Sequence, residues 1–218
     1  MPFEHNLTNS LPLILATESK YKQNVLKKLG IPFLAISPNI DESALENEPP
    51  NELVIRLAKE KALEIANNHL TTSLPEKYHS SAYIVAADQI ACFEQDILGK
   101  PGNKEKAFQQ LRRFSGNKVD FLTGLALFDT RTNAIYTLLE QYSVYFKTLS
   151  DDDISHYLDL EQPYDCAGAF KSEGIGILLF SKLEGRDPNA LVGLPLIALA
   201  ELFKQAGINL LQQIPIAD

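Results

Sequence analysis

The sequence predicts an α/β chain built on a mixed sheet with flanking helices. Strand-like and helix-like patterns alternate through its first half. Two long strand-like stretches, 118–128 and 135–148, then follow each other directly, which argues against a purely parallel, doubly wound sheet. No repeat, low-complexity tract or long linker divides the 218 residues, so they read as one domain.

The elements follow in order. "LPLILA" (11–16) is a short apolar run suited to a buried strand. "SKYKQNVLKKLGIPF" reads as a helix with Leu26 and Leu29 on one side, stopped by Gly30 and Pro32. "FLAIS" (33–37) is a second strand, and 38–50 is a polar loop with prolines at both ends. A helical period runs from Asn51 to His69, followed by a polar connection over 71–81. "AYIVAAD" predicts a strand ending at Asp88, with Gln89 behind it. "IACFEQDILGKP" suggests a hairpin turning near Gln95–Asp96. Residues 103–114 form a helix ended by Gly116, and Ser150 and Asp153 have capping-box spacing ahead of "ISHYLDL". A strand over 175–185 and a helix over Leu194–Ala206 close the chain.

Composition excludes several classes. A net charge of −8 argues against a broad grip on a nucleic acid polymer, while leaving room for a small polyanion where a few cations converge. No apolar run approaches the roughly 18 residues of a membrane span. The N-terminal stretch lacks the basic and apolar regions of a secretory signal. Cys92 and Cys166 are too few for a disulfide framework and read as buried small hydrophobes. A cytoplasmic protein with no membrane association is the expectation.

Certain polar residues stand where apolar ones are due. On a wheel of about 100° per residue, Val54, Leu57, Ala58 and Ile65 form a stripe, and Lys61 falls within it. Such a lysine either snorkels at the helix edge or meets an anion. Asp88 reads as a cap or turn acid, or as a functional carboxylate beyond a strand. Thr17 and Ser19 suit helix capping and phosphate binding equally. "NIDES" adds Asp41 and Glu42, and "ILGKPG" adds Lys100. Together these groups suggest metal-assisted hydrolysis of a phosphate anhydride, with carboxylate oxygens suited to Mg²⁺ or Mn²⁺. The phosphate-loop, dinucleotide-binding and nucleophile-elbow motifs are absent, and His5, His69, His79 and His156 lack ligand spacing.

The segments "LILATESKYKQNVLKKLGIPF", "SPNIDES", "ELVIRLAKEKA", "IVAADQ", "ILGKP", "LRRFSG", "TGLALF" and "EGRDPNALVGLPL" resemble, in order, the Maf family of nucleoside triphosphate pyrophosphatases. The resemblance runs from about Leu13 to Gly207. It implies a core over 11–207, with 1–10 and 208–218 as terminal extensions. "AADQ", "CAGAFKSEGIG" and "LEGRDPNALVGLPLIAL" are most similar to the YceF-like branch, which hydrolyses 7-methyl-GTP.

The implied fold is two-lobed and inosine-triphosphatase-like, a mixed twisted sheet with a cleft between the lobes. A divalent metal cation, a nucleotide substrate and a homodimer are implied with it. By position, Asp88 would accept the proton of the attacking water, Ser19, Lys61 and Lys100 would hold phosphates, and Glu42 would help hold the metal. Tyr21, Gln89 and Glu173 occupy the specificity positions. The main branch, acting on dTTP and UTP, has Thr and Gln at the positions of Gln89 and Glu173. A septation-regulating, nucleotide-binding role is a further alternative. "TESKYKQ" departs from the family's S-x-S-P-R-R opening: Lys20 replaces the proline, Lys22 and Gln23 the arginines, and Tyr21 stands where the branch has Trp. Lysine carries the charge without arginine's bidentate fork.

Overall fold

The computed structural model describes residues 11–68, 74–94 and 96–214. β1 (Leu13–Ala16) is buried throughout. α1 (Lys20–Lys27) follows, capped by the Ser19 hydroxyl, which accepts from the Lys22 N–H. Gly30, at φ +66, turns the chain into β2 (Phe33–Ile36). α2 (Pro50–Asn68) begins on a proline, whose missing N–H costs nothing at a first helical position. His5 and His69 lie outside the described residues. The polar connection contains a short helix, α3 (Lys77–Ser80), too brief to show a period.

β3 (Tyr83–Phe93) and β4 (Asp96–Leu98) pair antiparallel, and α4 (Lys104–Phe114) follows. β5 (Lys118–Asp129) and β6 (Ala134–Phe146) are the two long consecutive strands. α5 (Asp151–Glu161) opens with the expected Ser150–Asp153 capping box. β7 (Phe180–Glu184) and α6 (Leu196–Gln205) complete the order. Among the described residues, seven strands form one open sheet in the order β2-β1-β3-β5-β6-β7, with β4 also on β3. β2, β1 and β3 are parallel and the other pairings antiparallel, so the sheet is mixed as expected.

Three expectations need correction. The strand predicted to end at Asp88 continues to Phe93, because β5 pairs with it from Tyr83 through Cys92. Asp96 begins β4 rather than making the turn; Glu94 turns with φ +57, and Gln95 lies outside the described residues. The strand expected over 175–185 starts only at Phe180. Ile175–Leu179 is a 3-10 turn, in which Gly176 packs too close to the Lys171 carbonyl to carry a Cβ. Its apolar run resembled a strand because a short run without period does not distinguish the two.

Alternation along the strands divides the core. Leu13, Leu15 and Val85 face α1 and α6 through Val25, Leu26, Leu199 and Phe203. Ile14, Ile84 and Ala86 face α2 through Ala58, Ala62 and Ile65. Beyond the parallel half, Phe121, Val144 and Phe146 pack with Leu111 and Phe114 of α4 and Ile154 and Leu158 of α5. These clusters make two lobes on one sheet. β1 pairs with β3 only as far as Ala86, and β4 pairs from Ala91. Because β5 holds one edge of β3 throughout, β1 and β4 must share the other. Their gap leaves a notch at Ala87–Ile90, between the lobes. No helix among the described residues is long and apolar enough to cross a membrane.

Gly124 sits opposite Asp88 in the β3–β5 register, and a Cβ there would lie 2.1 Å from the Val54 carbonyl oxygen of α2. Backbone cannot yield as a side-chain tip can. Gly124→Ala is therefore expected to cost about 2 kcal/mol or more in chemical denaturation. A loss below about 0.5 kcal/mol, the range of neutral surface changes, would contradict this close approach.

Candidate active site

The helical stripe carries Lys61 to the inner face of α2, where it is only 8% exposed. Its Nζ lies 2.5 Å from Asp88 Oδ1 and 2.6 Å from Glu42 Oε1. The ammonium does not snorkel to solvent but is bracketed by two carboxylates. An unpaired charge at this depth would cost several kcal/mol. Burial favours the neutral amine, but the Asp88 charge and the hydrogen bonds to Asp88 and Glu42 outweigh it, and the Lys61 pKa is raised. Burial likewise favours a neutral Glu42, yet the Lys61 hydrogen bond and charge prevail and lower its pKa.

Asp88 stands in mid-strand, not at a strand end. It lies beside the notch, just beyond the last residue of β3 that β1 covers. Lys22 enters the notch from α1, and its Nζ donates to the Ala87 carbonyl at 2.6 Å. Burial, then the charge of Lys61, lowers the Lys22 pKa to about 8 against the opposing pull of Asp88 and Glu42. Gln89, next along the strand, points to the opposite sheet face. There its amide nitrogen donates to Thr123 Oγ1 at 2.9 Å and to the Ala190 carbonyl at 2.5 Å.

A cleft of about 580 Å³ opens at the notch and touches both faces of the sheet. Ser19, Tyr21, Glu42, Lys61, Asp88, Gln89, Lys100 and Glu173 all line it, so the residues to which the family resemblance assigned a role converge there. The cleft has two chemical ends. Around Lys22 stand Lys61, Asp88, Glu42 and Lys100, whose charges bear on its titration after burial itself. Burial raises the Tyr21 pKa, and the next contributions come from Cys166, Lys171, Asp165 and Glu173. Tyr21 remains 40% exposed, so part of its surface is open.

Other candidates fare differently. Asp41 is exposed and accepts from the Ser43 N–H at 2.9 Å, a local turn contact outside the cleft lining. Thr17 and Ser19 cap the start of α1, with Thr17 Oγ1 accepting from the Ser19 N–H at 3.1 Å, and both also line the cleft. His79 and His156 are absent from the lining. Cys92 is buried, but Cys166 is only half-buried and lines the cleft, contrary to expectation. Burial and Asp165 push the Cys166 thiol up to about 12, which leaves it a poor nucleophile. Lys171 was missed; it lines the cleft and pairs with Glu161 at 3.7 Å. Its only local signal was its position in "CAGAFKSEGIG".

Among the described residues, no three His, Cys, Asp or Glu side chains gather to hold a metal. Glu42 and Asp88 nevertheless converge on one cation, the Lys61 ammonium. Two carboxylates fit a hard divalent ion that draws the rest of its shell from substrate phosphates and water.

The profile of the Maf-like protein family matches residues 12–206, and the chain belongs to that family. It is 50% identical over 202 residues to the 7-methyl-GTP pyrophosphatase of Pseudoalteromonas atlantica, covering 93% of this chain and 98% of that protein. The 7-methyl-GTP pyrophosphatase of Pseudoalteromonas translucida is 49% identical over 92% of this chain and 94% of its own length. That of Colwellia psychrerythraea is 46% identical over 92% and 96% respectively. The solved structure of the Staphylococcus aureus Ham1 protein overlaps with a TM-score of 0.42 at 12% identity, covering 90% of this chain and 100% of that one, a likeness too weak to carry an argument.

A Lys22 pKa near 8 has a direct consequence. The cation is lost as pH rises through that value, so affinity for inorganic tripolyphosphate should weaken above about pH 8. Lys22→Arg, which keeps its charge, should hold affinity to pH 9 and beyond. Titration calorimetry across pH checks this; identical pH profiles for the two proteins would contradict it.

Proposed function

We propose that this protein hydrolyses 7-methyl-GTP to 7-methyl-GMP and diphosphate, aided by a divalent metal. The observation that carries the reading is the buried Lys61 bracketed by Asp88 and Glu42 in a cleft whose far end holds Tyr21 and Glu173. The close relatives named as 7-methyl-GTP pyrophosphatases support the choice of substrate.

In this reading the triphosphate lies along the lysine end. Lys61, Lys22 and Lys100 offset its charge, and Ser19 meets it at the start of α1. Asp88 accepts the proton of a water that attacks the α-phosphorus. The bond from that phosphorus to the α–β bridging oxygen breaks, and diphosphate leaves. Mg²⁺ or Mn²⁺ held by Glu42 beside Asp88 would supply further charge neutralisation at the phosphates. The phosphates would also replace carboxylate contacts around Lys61, freeing Asp88 for water.

At the other end, the methylated base carries a positive charge. The Tyr21 ring attracts such a cation by roughly 0.5–2 kcal/mol. Glu173 accepts from the N1–H and exocyclic amine of guanine, and Gln89 contributes a further polar contact. The reading also includes a cytoplasmic homodimer. Exposed Ile175, Ile177 and Leu178 support a self-contact, which light scattering checks.

Asp88→Asn should lower the turnover number for diphosphate release by about 10²–10⁴-fold while leaving the melting temperature close to wild type. Near-normal turnover would remove Asp88 as the base. Across 7-methyl-GTP, GTP, dTTP and UTP, the methylated substrate should be preferred. Glu173→Gln should narrow its advantage over dTTP and UTP by about tenfold, with GTP weakened in parallel. A wild type that favours dTTP or UTP would move the protein to the other branch's activity.

A further inference from the structure

Gln89 is held in one orientation. A primary amide has two N–H groups, and here both are taken, by Thr123 Oγ1 at 2.9 Å and the Ala190 carbonyl at 2.5 Å. A carbonyl only accepts, so turning the amide over would set oxygen against oxygen at Ala190. Thr123 is 0% exposed and stands directly across from Gln89 in the β3–β5 register, so its hydroxyl meets the amide away from solvent. Ala190 belongs to the 3-10 turn Pro188–Val192, which the buried Asp187 ties down. That carboxylate accepts from the Asn189 N–H at 2.8 Å, the Asn189 side-chain amide at 2.9 Å and the Ile197 N–H at 2.8 Å.

The free side of the amide has room. Gly193 follows the turn at φ +87, and a Cβ there would lie 3.4 Å from Gln89 Oε1 and 2.9 Å from Lys22 Cε. The bare glycine thus leaves space at the Gln89 oxygen, beside the Lys22 stem.

We propose that Thr123 is a positioning residue for substrate recognition: with the Ala190 carbonyl it locks the Gln89 amide so that only its oxygen is available, as an acceptor for an N–H or O–H donor of the nucleoside. The proposal rests on the cleft being a nucleoside triphosphate site and adds the polarity of one contact. Two sources supply such a donor, the 2-amino group of a guanine and the ribose 2′-hydroxyl. A nucleoside offering only acceptors there meets lone pair with lone pair and is rejected.

The test compares wild type, Thr123→Val and Thr123→Ser on 7-methyl-GTP, its analogue lacking the 2-amino group, and its 2′-deoxy analogue. Valine keeps the shape and removes the hydroxyl, leaving the amide tethered by the Ala190 carbonyl alone and free to pivot about that one bond. On 7-methyl-GTP, Thr123→Val should lower kcat/KM about tenfold through KM, with kcat within about twofold of wild type. Thr123→Ser should recover to within about threefold. The analogue lacking the responsible donor should already be weak with wild type and lose little further, which identifies the source. Equal losses on all three substrates, a fall in kcat without KM, or an unchanged KM would overturn the proposal.

If Thr123→Val fails to fold, Gln89→Glu sets a second oxygen against the Ala190 carbonyl and should raise KM similarly; an unchanged KM would overturn the proposal. If wild type rejects 7-methyl-GTP, the substrate reading fails separately. The comparison then runs on the triphosphate that wild type turns over fastest, with the analogues that remove its own donors.

Discussion

The break in the β3 ladder between Ala86 and Ala91 is the constraint on which the site depends. β1 stops at Ala16, β4 begins to pair at Ala91, and the edge between them stays open. A continuous sheet would separate Asp88 from Gln89, because neighbouring strand residues face opposite sides. At an open edge one cleft reaches both. Rigidity comes from the other edge, where β5 pairs through the whole stretch. Asp88 and Gln89 are thus held by sheet backbone, which positions side chains more firmly than a loop does.

Charge is organised around that opening. The chain has a net charge of −8, yet Lys22, Lys61 and Lys100 share one end of the cleft. Such local concentration lets an acidic protein take a small polyanion while offering no broad surface to a polymer. Without substrate, Asp88 and Glu42 hold Lys61, and the Ala87 carbonyl holds Lys22. These contacts make tolerable the cost of keeping cations away from water, and phosphate oxygens are natural replacements for them.

Much of this was legible in local pattern. The α2 stripe put Lys61 on an inner face, and the burial of that side chain bears the reading out. The capping box at Ser150 and the two long consecutive strands β5 and β6 were likewise visible. Tyr21 and Glu173 came from family resemblance, since an exposed aromatic and a loop acid carry no signal of their own. What escaped was set by distant pairing. Lys22 meets Ala87, and Gln89 meets Ala190, across sequence separations of 65 and 101 residues. The continuation of β3 past Asp88 depends on β5, so the polar pair Asp88–Gln89 looked like an end when it was the middle of a strand. The 3-10 turn at Ile175–Leu179 was hidden for a similar reason, its shape being fixed by contact of Gly176 with Lys171 and Tyr157.

A crystal structure with the α,β-methylene analogue of 7-methyl-GTP and Mg²⁺ tests the central claim most directly. The account predicts an analogue threaded through the notch, its α-phosphorus beside Asp88 and Lys61 and its base near Tyr21 and Glu173. An analogue bound with its base at the lysine end, or lying on one face of the sheet without reaching the open edge of β3, would contradict it.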